Sequence, residues 1–272
     1  MHALTISPQW AEWIELYLAS QRAAGYPLTT RNTRLQHLQH LARHIGIDPE
    51  PLTAEQLVEW AGGNDWAPST RRSRRVSIQS FFTWAKDTKR RKGDPSRALR
   101  KIRQPTASPR PVPGRVYHEA LMRADELETI WLELAYDHGM RRTEIALVHS
   151  DDIIEDFVGH SLLVHGKGGK DRVVPLTTQM ARKLLEREPG WLAPGADNGH
   201  ISPRWLGKRV NSLLDGNWTI HSLRHSAGTR WNRHGGLLVA QRLLGHASVA
   251  TTQIYCAVDD IELRATVLAT AS

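Results

Sequence analysis

Ser161-Leu-Leu-Val-His-Gly-Lys-Gly-Gly-Lys-Asp-Arg-Val-Val-Pro-Leu176 reads as two short apolar β runs on either side of a glycine-rich turn. Runs of this length, rich in β-branched residues and bounded by glycine, predict strands rather than helices. A third run, Asp152-Ile-Ile154, lies just upstream, with Gly159 marking the turn between it and the pair. Outward from these three runs the apolar residues fall at helical spacing. A small antiparallel sheet set among many helices predicts a mostly α, α+β domain.

Downstream, the pattern is helical from Thr178 to the end. Upstream, Ala124-Asp-Glu-Leu-Glu128 opens a capped helix with Leu127, Ile130, Trp131, Leu134 and Ala135 on one face. Gly139 interrupts it, and a short helix follows Met140. Before this, Gln104-Pro-Thr-Ala-Ser-Pro-Arg-Pro-Val-Pro-Gly114 cannot form a helix or a central strand, and it predicts a linker over 104–114. Residues 115–272 then form one domain with a C-terminal tail.

Residues 1–103 predict a bundle of four helices. The first carries Trp10, Trp13, Ile14, Tyr17 and Leu18 at helical spacing and ends at Gly25-Tyr-Pro27. Thr29 or Thr30 is the expected cap of the second, which presents Leu35, Leu38, Leu41 and Ile45 and stops at Gly46. Thr53-Ala-Glu-Gln56 opens the third, broken by Gly62-Gly63. The fourth runs from about Pro68 to Lys86, with Val76, Ile78, Phe81, Phe82 and Trp84 apolar.

The chain has 272 residues and 40% apolar content, enough for one large domain or two modest ones. It has no run of about 18 uncharged apolar residues, so no membrane span is expected, and its first residues lack the signal-peptide pattern. Cys256 is the single cysteine, which excludes an internal disulfide and fits a reducing, cytosolic setting. The net charge of +8 is uneven. Residues 1–113 hold 18 Lys and Arg against 9 Asp and Glu, while residues 114–272 are almost balanced. An excess confined to one part suits a segment that grips phosphate; a basic surface kept for solubility is the plainer account.

Phosphoryl transfer on DNA without a metal needs a nucleophile, cations on the non-bridging oxygens and an acid for the leaving oxygen. His221 and Arg224 share a helix face in His221-Ser-Leu-Arg-His225. Leu244-Gly-His246 follows, and Tyr255 lies nine residues further on. Arg141 precedes Glu144 by three. Lys167 sits in the turn Gly166-Lys-Gly-Gly-Lys170, which is not a Walker A loop. Each has a bland alternative: a solvated His-Arg pair, a rim tyrosine, a helix-start arginine paired to Glu144, a basic turn.

Together the segments resemble the tyrosine recombinases, the phage integrase family. The matching pieces are Tyr136-Asp-His-Gly-Met-Arg141-Arg-Thr-Glu144, His165-Gly-Lys167 through Leu176, His221-Ser-Leu-Arg224-His-Ser, Leu244-Gly-His246 and Thr251-Thr-Gln-Ile-Tyr255, in the family's order over residues 120–258. Thr30-Arg-Asn-Thr-Arg34, Ser69 to Arg75 and Phe82-Thr-Trp-Ala85 are similar, more loosely, to its helical core-binding domain.

The resemblance implies a site-specific recombinase, metal- and ATP-independent and without cofactors, that cleaves and rejoins DNA for integration and excision. An Xer-like dimer resolvase is the alternative. Tyr255 would be the nucleophile and form a 3′-phosphotyrosyl bond. Arg141, Arg224 and His246 would hold the non-bridging oxygens, Lys167 would protonate the leaving 5′-oxygen, His221 would assist proton transfer, and Glu144 would orient Arg141 or another site residue. The basic side chains Arg31, Arg34, Arg71, Arg72, Arg74 and Arg75 are DNA-contact candidates, with about half of those in 71–75 touching DNA because they cannot share one face. The expected partners are double-stranded DNA at attachment or core sites and three further copies, giving a tetramer on DNA from a monomer in solution. A directionality factor or a host bending protein would join them, in the bacterial cytoplasm, the host's if the gene is a phage's.

In two places the expectation departs from the family. The chain opens on the core-binding helices, so no arm-binding domain is expected, and Ser222 stands where an acidic residue is frequent. The tail 259–272 would dock either on a neighbouring copy or on its own domain, and Leu268-Ala-Thr-Ala-Ser272 is a candidate degradation signal. Two rivals remain: a metalloprotein using His221 and His225 at i, i+4 spacing, and a DNA-binding relative without chemistry.

Overall fold

The computed structural model describes residues 5–103, 110–166 and 171–245, and the chain divides into two compact units with the boundary near residue 106.

In the first unit, Ser7 accepts a hydrogen bond from the Trp10 amide and Pro8 opens helix α1 (Pro8–Ala23). Helix α2 (Leu28–Ile45) starts two residues earlier than a Thr29 cap allows. Pro27 stands at the cap position, and its carbonyl takes the Thr30 and Arg31 amides, so neither Thr29 nor Thr30 acts as the cap. Gly46 ends α2 in the left-handed region. Thr53 and Gln56 form a reciprocal capping box on α3 (Ala54–Gly62), and α4 (Pro68–Asp87) follows. A 3-10 turn at Pro95–Ala98 completes the unit.

The first core gathers Trp10, Tyr17, Leu38, Leu41, Leu57, Phe81 and Phe82, all nearly inaccessible. Trp10 stacks on Phe81 at 5.4 Å and donates its indole N–H to the Ile47 carbonyl. Val76, apolar in the α4 pattern, lies on the outer face and is exposed.

The second unit begins earlier than a linker over 104–114 allows. Val112 is already buried, its amide donates to Ser226 Oγ at 2.8 Å, and α5 (Gly114–Arg123) follows at once. Pro113 supplies the N-cap and Val116, Tyr117 and Ala120 form a buried face, a helix that proline density conceals in the sequence. Asp125 and Glu128 cap α6 (Glu126–Tyr136). At the sharp turn after it, Gly139 has φ +60°, and a Cβ there would lie 2.6 Å from the Trp231 ring, so the position requires glycine. Helix α7 (Arg142–Ala146) comes next.

The three expected strands form one antiparallel sheet in the order β1 (Ile153–Asp156), β2 (Gly159–Val164), β3 (Arg172–Pro175), with Leu162 opposite Ile153 on one side and Val174 on the other. After α8 (Thr178–Leu185) the chain departs from the continuous helical pattern expected beyond Thr178. A two-stranded ladder, β4 (Pro194–Gly195) with β5 (Gly199–His200), precedes α9 (Pro203–Leu213) and α10 (Ile220–Leu244). Helix α10 is itself interrupted at Gly236, where φ is +77°. Leu132, Ile145, Leu162, Val174, Leu206 and Leu223 meet in the second core, which fixes α6, α7, α9, α10 and the sheet relative to one another. No helix among the described residues is long and apolar enough to cross a membrane.

Candidate active site

Arg141 is the N-cap of α7, and three residues later Glu144 turns back over it. Glu144 Oε2 accepts the Arg141 amide at 2.7 Å and Oε1 accepts Arg141 Nη1 at 2.6 Å. The pairing expected for a helix-start arginine is therefore present, yet its carboxylate is no surface group: the Glu144 side chain is only 3% exposed. Burial on that scale demands compensation. Two further arginines supply it. Arg172, the first residue of β3, meets the carboxylate with both terminal nitrogens at 2.8 Å, and Arg224 lies 3.7 Å away.

Burial pushes the Glu144 carboxyl up, but the Arg172 fork and charge, the Arg141 amide and the Arg224 charge outweigh it, and the group is held down at about 2.

Arg224 sits in the first turns of α10, which Thr219 and Ser222 cap. Ser222 stands where the resemblance puts an acidic residue, and it serves the cap. Arg224 is only 1% exposed, far from the solvated surface residue that a lone His-x-x-Arg suggests. Its guanidinium donates to the Gly139 carbonyl and, at 2.6 Å, to the Leu244 carbonyl.

Met140, Arg141, Arg142, Thr143, His221 and Arg224 line a cleft of about 420 Å³ above this cluster. His221 stands at its exposed lip. Partial desolvation of the ring at the cleft wall, then the charges of Arg224 and Arg141, hold its imidazole below the ordinary value, so it is neutral near pH 7. His225, one turn on, contacts the His221 ring edge-on at 4.5 Å and is pushed down to about 4 by burial, His221 and Arg224. Among the described residues no group of three or more His, Cys, Asp or Glu could hold a metal ion.

The structure thus brings together Arg141, Glu144, His221 and Arg224. Lys167, His246 and Tyr255 lie outside the described residues. His165 and Asp171 flank residues 167–170. His165 bridges Asp152 at 2.9 Å and Asp171 at 3.2 Å, and the Asp152 contact foremost raises its pKa.

Sequence reasoning quoted Arg172 within a motif but gave it no role. A signal was available: Arg172 and Val174 are two apart on β3, and Val174 faces the core. A charged residue on an inward register position needs a buried partner.

The six arginines proposed for DNA are on α2 and α4 of the first unit, and their settings differ. Arg71 donates to the carbonyls of Trp66, Ala61 and Asn64, the last at 2.6 Å. Arg75 donates to the Leu99 carbonyl and Arg31 to the Tyr26 carbonyl. Arg34 lies over the Tyr26 ring and Arg74 over the Trp66 ring. Arg72 is exposed. Arg72 and Arg75 also line a cleft with Lys101 and Arg103.

Residues 118–262 match the sequence profile of the phage integrase family. The tyrosine recombinase XerC of Chlamydia trachomatis serovar L2 is 32% identical over 212 residues, covering 68% of this chain and 66% of that protein, so the chain spans about two thirds of this relative's length. XerD of Caulobacter vibrioides is 28% identical over 288 residues, 90% of each chain. Among solved structures, the lambda integrase (75–356) dimer bound to a COC′ core site aligns at a TM-score of 0.73 with 16% identity, over 89% of this chain and 96% of that one. The XerH recombinase bound to difH aligns at 0.68 with 17% identity, over 98% and 86%. At these identities the two structures speak to fold alone: mostly helical with a small antiparallel sheet.

Proposed function

The chain belongs to the phage integrase family, the tyrosine recombinases, and from that premise we propose that it is a site-specific recombinase acting on double-stranded DNA through Tyr255. The observation that carries the proposal is the cleft in which Arg141, His221 and Arg224 converge over the buried Glu144. Three guanidinium groups around one carboxylate leave the cluster beneath the cleft two positive charges in excess, a setting for a phosphodiester approaching its transition state.

In the proposed reaction the Tyr255 oxygen attacks the scissile phosphorus. The bond to the 5′-oxygen breaks, a 3′-phosphotyrosyl ester forms, and Lys167 gives its proton to the departing oxygen. Arg141, Arg224 and His246 hold the non-bridging oxygens. A free tyrosine, with a pKa of about 10, is a weak nucleophile at neutral pH. The neutral His221 at the lip has a lone pair to help remove the phenolic proton. One phosphoester replaces another, so the ester energy is kept for rejoining and neither ATP nor a metal enters the balance.

The partner is duplex DNA, gripped through the basic first unit, and the assembly is a tetramer, as in the solved lambda integrase tetramer bound to a Holliday junction. Integration and excision are one use of this chemistry. Resolution of chromosome dimers is the other, and the XerC and XerD relatives favour it. Recombination between two unlike attachment sites, against recombination between two copies of one site, separates the two.

A nicked suicide substrate tests the core of the proposal. The protein should leave an SDS-stable protein–DNA adduct, undiminished in EDTA. Tyr255→Phe should abolish the adduct while binding survives; an adduct from the Phe variant would overturn the nucleophile assignment.

A further inference from the structure

Arg172 joins three parts of the second unit that are far apart in sequence. Its terminal nitrogens Nη1 and Nη2 each donate at 2.8 Å to the two oxygens of Glu144 on α7. Its Nε donates at 3.0 Å to the Leu243 carbonyl, in the last turn of α10. The next carbonyl, Leu244, is taken by Arg224. A helix leaves its last carbonyls without intrahelical donors, and here two of them are claimed by arginines that also share Glu144. The fit is close. Gly245 follows with φ +64°, and a Cβ on it would stand 2.7 Å from Arg172 Cδ. A side chain at 245 is therefore excluded both by backbone and by the arginine. His246 is the next residue in the chain, and Tyr255 lies nine beyond it.

We propose that Arg172 is a positioning residue for strand cleavage: it clamps the end of α10 to the Glu144 cluster and so sets the point from which the His246–Tyr255 segment departs. This rests on the recombinase reading for its effect on cleavage but not for the clamp itself. The planar fork is essential, because lysine offers a point charge and cannot serve Glu144 and Leu243 together. The charge has a second effect. With Arg172 removed, Glu144 loses its strongest counter-charge and takes up a proton at higher pH, which weakens its hold on Arg141.

Two readouts test the clamp on the full-length protein. The first is hydrogen exchange of the backbone around 243–245. Arg172→Lys and Gly245→Ala should both speed it, while exchange in the first unit stays as in the parent. Unchanged exchange in both variants overturns the proposal whether or not the protein cleaves DNA.

The second is single-turnover cleavage of the nicked substrate at saturating enzyme. Arg172→Lys should lose roughly tenfold to hundredfold in rate with DNA affinity unaltered. Arg172→Met should in addition move the acid limb of the rate–pH profile upward, whereas Arg172→Lys should keep that limb near the parent's without keeping the rate. A merely structural arginine would change stability but not separate rate from pH profile in this way. Wild-type rate in a folded Arg172→Lys overturns the proposal. A parent protein that forms no adduct refutes the recombinase reading and leaves the exchange result to decide the clamp.

Discussion

In the first unit Arg31, Arg34, Arg71, Arg74 and Arg75 rest on carbonyl oxygens and aromatic rings; in the second, Arg141, Arg172 and Arg224 converge on one carboxylate. Among the described residues of the first unit the one ion pair is Arg97 with Asp94. Carbonyls and ring faces orient a guanidinium without cancelling its charge, so the first unit keeps its long-range field. The carboxylate cancels part of the charge but fixes three cations at once, which suits a site where position counts more than reach. On the proposed function, the first region would attract phosphate and the second would hold one phosphate in one place.

The hardest test of this contrast is Glu144→Gln. Loss of the charge on which three arginines converge should lower stability by about 3–5 kcal/mol in urea titrations and abolish detectable adduct. A variant as stable as the parent would break the comparison. Arg141→Lys is the next step down. It keeps the charge and loses the fork, so cleavage should fall about a hundredfold in single-turnover assays, with DNA affinity little changed.

A pair of substitutions sharpens the account of the first unit. Arg72→Gln should weaken DNA binding and lower the slope of log affinity against log salt by about one. Arg71→Gln should instead cost about 1.5–3 kcal/mol of stability, because its bonds to carbonyls at the end of α3 and in the loop before α4 are lost, and leave the salt slope nearly as it was. If the two exchange phenotypes, the division between anchored and DNA-facing arginines is wrong.

The smallest effect is a pH dependence common to both regions. His40 in the first unit is held down to about 4 by burial, Arg74 and neighbouring histidines, and His225 in the second is held down similarly. Unfolded histidines take a proton near pH 6.5, which these folded ones resist until about 4. Stability is therefore full above 6.5 and declines as pH falls toward 4. Glu144 adds a second decline, between its unfolded value near 4.5 and its folded value of about 2. Thermal midpoints should fall modestly from pH 7 to 4 and further below 4.5; a flat profile would contradict both.

Much of the fold was legible because its signals are local. Thr53, Asp125, Gly46 and the glycines of the sheet turns act within a few residues of themselves, and with the helical spacing of the apolar residues they made the bundle helices and three strands readable. Helix α5 was not legible, since its proline-rich approach dominates the local pattern and only burial against the second core reveals the helix. The ladder of β4 and β5 was missed for a similar reason: two-residue strands have no periodicity to read. The break at Gly236 was passed over because the pattern is helical on both sides of it.

At the site, the family resemblance carried by the motifs, rather than any residue pair alone, singled out Arg141, Glu144, His221 and Arg224, and the structure places these four together. The sequence by itself determined which chemistry-bearing residues are present and the helices and strands that carry them. Only the tertiary structure decided that Glu144 is buried, that Arg224 is a core residue rather than a solvated one, and that Arg172 joins β3, α7 and the end of α10. Those facts depend on contacts between residues up to 85 positions apart. Burial converts such contacts from options into requirements, because a carboxylate removed from water must find its cations wherever the fold brings them.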